Sequence, residues 1–497
     1  MAEWKKRFWS NTISSYIQVV VRVALGLILF RQLFSHLNDA EFGFWSLLWS
    51  LFGYGVLLDF GFGFTAQKAV AEKTAQGDIQ GLSRLLATIL WTFIGLAVFM
   101  MVIFLLLRDP FLDAVNAPPE LRAEFTRAYL IFFVGMALMF PLGVFPEMLR
   151  GLQRIDLANW FNTATTVLHF AGIVGALWAD WRFSDILTIS VITSLLPSVF
   201  AAIMAVRRLP GLSLSPRLFQ LSSVKSQMSF SLAAFLITFS NLLMAKSDQL
   251  VLSLTVGVAA VAIYQAGYKM GEMLNLFSVQ LQSALSPAAA DLQARGDRAG
   301  LRDLLQRSSR LVFLLITPAY ALTAVYLESL IQLLTGLAVV PRETYWVGQA
   351  LALAVYSQQL TNGASKRILM MCGHEKSLLF LSVGDAFFNV TLSVLLVYQF
   401  EVLGVALGTL IPAVLIGWIL VLPLALRALE FPVKDYLRFH FQGTKLPLVL
   451  CLSTLALLQW LAPMPAEGGF WPLAWRGALA GGPAMLLSLR VLRQMTR

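Results

Sequence analysis

Apolar runs of about twenty residues follow one another along almost the whole chain, and this property limits the possible folds more than any other. A run of that length crosses a hydrocarbon core of about 30 Å as an α-helix. Inside lipid every backbone N–H and C=O must find a partner, so only helices and closed barrels can span. Runs of twenty residues, rather than ten, select helices. Fourteen spans are expected, near 12–34, 42–66, 85–107, 127–149, 157–179, 185–206, 229–252, 258–285, 308–332, 345–371, 378–400, 402–426, 446–463 and 473–491. Composition agrees, with 58% hydrophobic and 13% charged residues, where soluble globular chains carry about 25% charged. The expected class is an all-α, polytopic integral membrane protein. WKKRFW, just ahead of the first span, looks like a signal n-region, but the apolar run behind it is too long and lacks a small-residue cleavage site.

Lys and Arg gather in alternate loops. With the N-terminus placed inside, 27 of the 37 basic residues fall on the inner side and seven, among them Arg31, Arg342 and Arg476, on the outer side. Arg22, Lys246 and Lys269 remain within spans. This split supports an even span count, with both termini cytoplasmic. It also accounts for much of the net charge of +10 through contact with anionic lipid, without invoking nucleic acid. Cys372 and Cys451 fall in or near spans and suggest neither a disulfide nor a metal site.

GDIQGLSRLL at 77–86 returns as GDRAGLRDLL at 296–305. Gly77/Gly296, Asp78/Asp297 and Gly81/Gly300 carry the match, and the shared leucines weigh little in so apolar a chain. Both copies follow an even-numbered span with six spans between them, so both are expected on the inner face. A fainter echo pairs RQLFSHL (31–37) with DQLVLSL (248–254). The pattern is a parallel duplication about a pseudo-twofold axis along the membrane normal. The expected organisation is a six-helix bundle over 1–206, a cytoplasmic linker over 207–228, a second six-helix bundle over 229–426, and an extra helix pair with the C-terminus over 427–497. Two such bundles facing one another are the architecture of a transporter.

Polar residues recur at helical spacing inside the spans. Span 1 carries Asn11, Ser14, Ser15, Gln18 and Arg22. Span 8 carries Gln265, Lys269, Glu272 and Asn275, and span 11 carries Ser382, Asp385, Asn389 and Ser393. Span 7 adds Asn241, Lys246, Asp248 and Gln249, span 2 adds Asp59, and span 10 adds Gln358, Gln359 and Asn362. A charge near the bilayer centre costs about 2.5–3.5 kcal/mol on insertion scales, so the stripes are expected to face a wet cleft between the bundles. For Lys269 and Glu272 the competing reading is an internal pair three residues apart. Arg22, Lys246 and Lys269, with the neutral Gln18, Gln265 and Asn275, form a set suited to an anionic, phosphate-bearing cargo. Asp59, Asp248, Glu272 and Asp385 either balance these cations or carry a coupling proton or sodium ion; no other cofactor is expected. Asp248 lies near the outer end of its span, which favours an interfacial role. His169, alone on an apolar stretch, reads as a packed, hydrogen-bonded histidine.

The fourteen spans, the duplication, the inner GD-x-x-GL-x-x-LL loops, LLDFGFGFTAQKAVAE (57–72) and EMLRGLQRIDLANW (147–160) resemble the polysaccharide transporter branch, the Wzx-type flippases, of the multidrug/oligosaccharidyl-lipid/polysaccharide exporter superfamily. The resemblance covers nearly the whole chain. It implies a cationic cavity, matched here by Arg22, Lys246 and Lys269. It also implies a polyprenyl-(pyro)phosphate-linked oligosaccharide as substrate, moved from inner to outer leaflet of a bacterial inner membrane among membrane lipids and polysaccharide assembly partners. Many Wzx-type members have twelve spans, and the extra pair at 446–491 is similar to the arrangement in lipid II flippases. A multidrug antiporter of the same superfamily would favour an acidic cavity. A membrane-embedded glycosyltransferase or polymerase is the third reading, resting on Asp39 and Glu41 in a short outer loop. No paired catalytic carboxylates, metal-ligand cluster or nucleophile motif supports an enzyme.

Overall fold

In the computed structural model the chain is helical, with no strand among the described residues, which are 2–55, 62–152, 154–220, 231–282, 285–442, 444–462, 464 and 469–495. The helices form two compact units, Met1–Phe239 and Ser240–Arg497. The first contains α1 (Ala2–His36), α2 (Asp39–Gly55), α3 (Phe62–Gln76), α4 (Ile79–Ala114), α5 (Arg122–Leu142), α6 (Val144–Gly151), α7 (Ile155–Trp178) and α8 (Phe183–Arg207). The second holds most of α9 (Ser231–Thr255) and then α10 (Val258–Gln282), α11 (Leu285–Ala294), α12 (Arg298–Val325), α13 (Leu327–Thr335), α14 (Arg342–Thr361), α15 (Gly363–Met371), α16 (Glu375–Leu415), α17 (Leu422–Ala428), α18 (Val433–Phe441), α19 (Lys445–Leu461) and α20 (Phe470–Met495).

Among the described residues six stretches are long and apolar enough, by length and composition, to cross a membrane: Ile17–His36, Ile79–Ala114, Pro119–Gly151, Phe183–Arg207, Arg298–Val325 and Lys376–Ala428. The chain is therefore a multi-pass membrane protein. The sequence leads one to expect fourteen spans, and besides short helices such as α2 and α19, of 17 residues each, two physical effects contribute to the difference. Lys376–Ala428 doubles back within α16 at Glu401, whose φ of 48° breaks the helix. Polar side chains also dilute the hydropathy of helices such as α10, which carries Gln265, Lys269, Glu272 and Asn275.

The doubled GD motif forms the same turn in both units. Gly77 and Gly296 end α3 and α11 in the left-handed region, at φ 72° and 68°, where a Cβ would be strained. The N–H of Asp78 reaches back to the Lys73 carbonyl at 2.9 Å, and that of Asp297 to the Leu292 carbonyl at 3.0 Å. Each aspartate then caps the next helix, its Oδ1 accepting the N–H of Gly81 or Gly300 at 2.8 Å. A Cβ on Gly81 or Gly300 would overlap the capping carboxylate. Every residue that carries the match therefore has a backbone reason to be there. The shared leucines matter more than the sequence suggests, because Leu82, Leu86, Leu301 and Leu305 are all buried. They seat the turn on equivalent cores, with α3, α6 and α8 in the first unit and α11, α15 and α17 in the second.

The linker expected over 207–228 is described as far as Gln220, and those residues lie against α4. Trp91 Nε1 donates to the Leu214 carbonyl at 3.0 Å, and the N–H groups of Ser213 and Gln220 donate to Ser83 Oγ and Thr88 Oγ1 at 3.1 Å each. Leu209 is buried in the same core as Leu82 and Leu86. On the far side of the first unit the packing is aromatic, with Phe44 stacked on Phe125 at 4.2 Å and close to Phe183.

In the second unit the two arms of α16 pack closely. Added Cβ atoms on Gly404 and Gly408 would overlap the Leu396 carbonyl and the Ser393 backbone. Helices immersed in lipid gain little from apolar burial against one another, so close backbone approach through small residues replaces it. α19 and α20 pack on the end of α12 through Ala321, Tyr326, Cys451, Leu455, Ala480 and Ala484.

Candidate functional site

Two clusters of charged groups inside the second unit are built on α9 and α10. The first holds Lys246, Lys269 and Glu272. Lys269 Nζ lies 2.7 Å from Glu272 Oε2, one turn along α10, so the internal pair does form. Lys246, half-buried on α9, lies within electrostatic reach of both. Two ammonium groups and one carboxylate leave a net positive charge. Lys269 and Glu272 keep 20% and 39% of their side-chain surface. Asn275 continues the stripe and is exposed; its Oδ1 accepts from Gln359 Nε2 at 2.9 Å, and Gln359 Oε1 accepts from Gln282 at 3.1 Å. Gln265, one turn before Lys269, is buried.

Asp248 anchors the second cluster. It is buried within the second unit: the residue is 4% exposed, and its Oδ2 accepts from the Tyr264 hydroxyl and, at 2.9 Å, from Thr409 Oγ1. The physical reason is that α10 and the second arm of α16 close over it. Thr409 also accepts from Asn389 Nδ2 at 3.0 Å. Asp248 Oδ1 and Asn389 Oδ1 are buried acceptors without a hydrogen-bond partner among the described residues, an arrangement that is costly unless a cation or proton meets them. One turn along α16, the buried Asp385 faces Lys366 of α15 at 3.8 Å. By sequence Lys366 counts among the inner-side basic residues. The partner comes from a different span, and no local spacing reveals it.

In the first unit Arg22 is exposed on α1 and Gln18 is half-buried. Ser14, at the edge of that stripe, instead packs into α7, where it accepts from Asn159 Nδ2 at 3.0 Å. Asp59 lies outside the described residues. His169 is packed as expected, its Nδ1 3.3 Å from Ser194 Oγ and its ring edge-on to Trp49.

Six apolar stretches long enough to cross a membrane among the described residues, with a duplicated turn, define a multi-pass helical membrane protein. The chain belongs to the polysaccharide biosynthesis protein family, whose model matches residues 8–293. No curated protein matches it. Among solved structures it is similar to the lipid II flippase MurJ in an inward closed conformation, with a TM-score of 0.73, 14% identity, and 98% of this chain and 99% of that chain covered. It is also similar to an inward-facing multidrug resistance MATE family transporter of the MOP superfamily, with a TM-score of 0.68, 14% identity, and 83% and 98% covered. A third likeness is to a MOP superfamily transporter from Pyrococcus furiosus described as having a binding pocket of reverse polarity, with a TM-score of 0.54, 14% identity, and 86% and 97% covered. The fold is thus the one these flippase and transporter structures share.

Proposed function

We propose that this chain moves a polyprenyl-(pyro)phosphate-linked oligosaccharide from the inner to the outer leaflet of a bacterial inner membrane by alternating access, for cell-surface polysaccharide assembly. The observation that supports this most is the net-positive cluster of Lys246, Lys269 and Glu272 within the spans. Cations there cost insertion energy, and an anionic headgroup offsets that cost. Arg22, Gln18 and Asn275 are assigned to the same cargo, and the basic loops to the cytoplasmic side with both termini. Membership of a polysaccharide biosynthesis family fits a glycan-bearing lipid, and assembly proteins are its expected partners.

Asp248 is the carboxylate assigned to a coupling ion, proton or sodium. The support is its buried, unpartnered Oδ1 beside that of Asn389. Glu272 and Asp385 act as counter-ions to Lys269 and Lys366.

A second reading changes only the cargo, to a lipid II-like pyrophosphate lipid. The pair α19–α20 favours it, since the likeness to MurJ spans 98% of this chain where the MATE structure spans 83%. The test is purified protein in liposomes, assayed with fluorescent lipid-linked sugars and with cationic dyes. Flipping of the lipid-linked sugars is expected, and transport of the dyes alone would overturn the proposal.

A further inference from the structure

The chain leaves α17 at Ala428, the end of the apolar stretch Lys376–Ala428, and enters α19, a shorter apolar helix, at Lys445. With both neighbours read as lipid-embedded, the short helix α18 between them is assigned to the membrane surface. It is anchored on the second unit. Tyr436 is 3% exposed, in the core formed with Leu301, Leu305 and Leu426. Arg302 Nε donates to the Leu429 carbonyl at 2.6 Å, and Arg310 donates to the Gln442 carbonyl.

The rest of α18 points outward with a definite chemistry. Val433 and Leu437, one turn apart, are 52% and 39% exposed. Lys434 and Arg438, also one turn apart, are exposed beside them, on the side of the helix away from Tyr436. Three bases packed near α18 are engaged elsewhere: Arg298 and Arg302 face Glu430, and Arg310 holds a carbonyl. Among the described residues no carboxylate pairs with Lys434 or Arg438.

We propose that this face of α18 is a recognition surface for an anionic phospholipid of the leaflet it meets. Val433 and Leu437 rest on the acyl chains at the headgroup boundary. Lys434 and Arg438 take the phosphate, the guanidinium as a fork and the ammonium as a point charge. The two cations project from a helix fixed at its buried face and at both flanks, so they are pre-positioned, unlike bases on a loose loop. A free phosphate would meet the cations but not the apolar pair, and a neutral lipid the reverse. The assignment of basic loops to the cytosol decides only which leaflet supplies the lipid, so the surface stands or falls apart from the proposed cargo.

The test titrates the full chain in neutral detergent with phosphatidylglycerol, phosphatidylcholine and inorganic phosphate, with bound lipid read by native mass spectrometry. The variant is Lys434→Gln with Arg438→Gln, which removes charge from two exposed side chains and leaves Tyr436 in place. At about 1 kcal/mol per base near an anionic surface, the tightest phosphatidylglycerol should bind about 25-fold more weakly to the variant, at about 1.4 kcal/mol per tenfold. Phosphatidylcholine binding should not change, and inorganic phosphate at equal concentration should not compete. Exchanging the two bases, Lys434→Arg with Arg438→Lys, should restore most of the affinity. Equal binding of phosphatidylglycerol to wild type and charge-removed variant, or equal binding of the two lipids to wild type, would overturn the proposal.

Discussion

Replacing Lys269 by glutamine separates an anion-binding group from a structural counter-ion, because the structure assigns different magnitudes to the two roles. The Lys269–Glu272 pair is made within one helix and leaves 20% and 39% of the two side chains exposed. A pair of that kind stabilises a helix by about 0.3–0.5 kcal/mol, and the abandoned Glu272 can still be hydrated. The fold should therefore lose well under about 1 kcal/mol. A charge-assisted hydrogen bond from the ammonium to a phosphate oxygen is worth about 1.5–3 kcal/mol, or about 10- to 150-fold in affinity. Binding of a polyprenyl-pyrophosphate oligosaccharide to purified Lys269→Gln should fall within that range, with thermal stability nearly unchanged. Glu272→Gln alone should bind at least as tightly as wild type, since the competing carboxylate is gone. The double variant Lys269→Gln with Glu272→Gln has the same net charge at this site as wild type, yet without the Lys269 ammonium it should still bind more weakly than wild type. Recovery of wild-type affinity by the double variant would refute the argument and leave Lys269 a counter-ion.

Two further outcomes concern the fold. Asp297→Ala removes the cap of α12 and should cost about 1 kcal/mol, seen as faster amide exchange in the first turn of α12. At the matching turn, Lys73 and the Gly81 N–H hold the Asp78 carboxyl below its ordinary 3.8, so this cap contributes fully above that pH and is lost as pH falls through the lower folded value. The protection factor of the amides at the start of α4, which removes the intrinsic pH dependence of exchange, should therefore be steady from neutral pH to about 4 and fall below it. Gly408→Val drives a side chain into the Ser393 backbone and should destabilise the second unit by at least about 1–3 kcal/mol; a variant as heat-stable as wild type would contradict the packing of the α16 arms.

Much of the architecture is legible in the sequence because its causes are local. The GD turns need a left-handed glycine, a capping aspartate and a glycine without a Cβ, and all three can be read as letters. The break between spans 11 and 12, near Glu401, is likewise visible as a gap in hydropathy. The same logic could have found the α16 contact, since GVALG at 404–408 has the small-residue spacing that lets helices approach closely. What the sequence does not reveal is which helix lies opposite which. Position along a span puts Asp248 near an end, and only the approach of Tyr264 and Thr409 makes it buried. The pairing of Asp385 with Lys366 depends in the same way on the register between α15 and α16. Frequency alone gives the shared leucines little weight, whereas their burial depends on which side of α4 and α12 faces the core.

The account rests on an anionic headgroup being what the intramembrane cations bind. The most direct measurement compares flipping of two fluorescent lipids in proteoliposomes, identical in glycan and prenyl chain, one joined through a pyrophosphate and the other through an uncharged linkage. The pyrophosphate lipid should cross and the uncharged one should not rise above protein-free liposomes. Equal rates for the two would contradict the account.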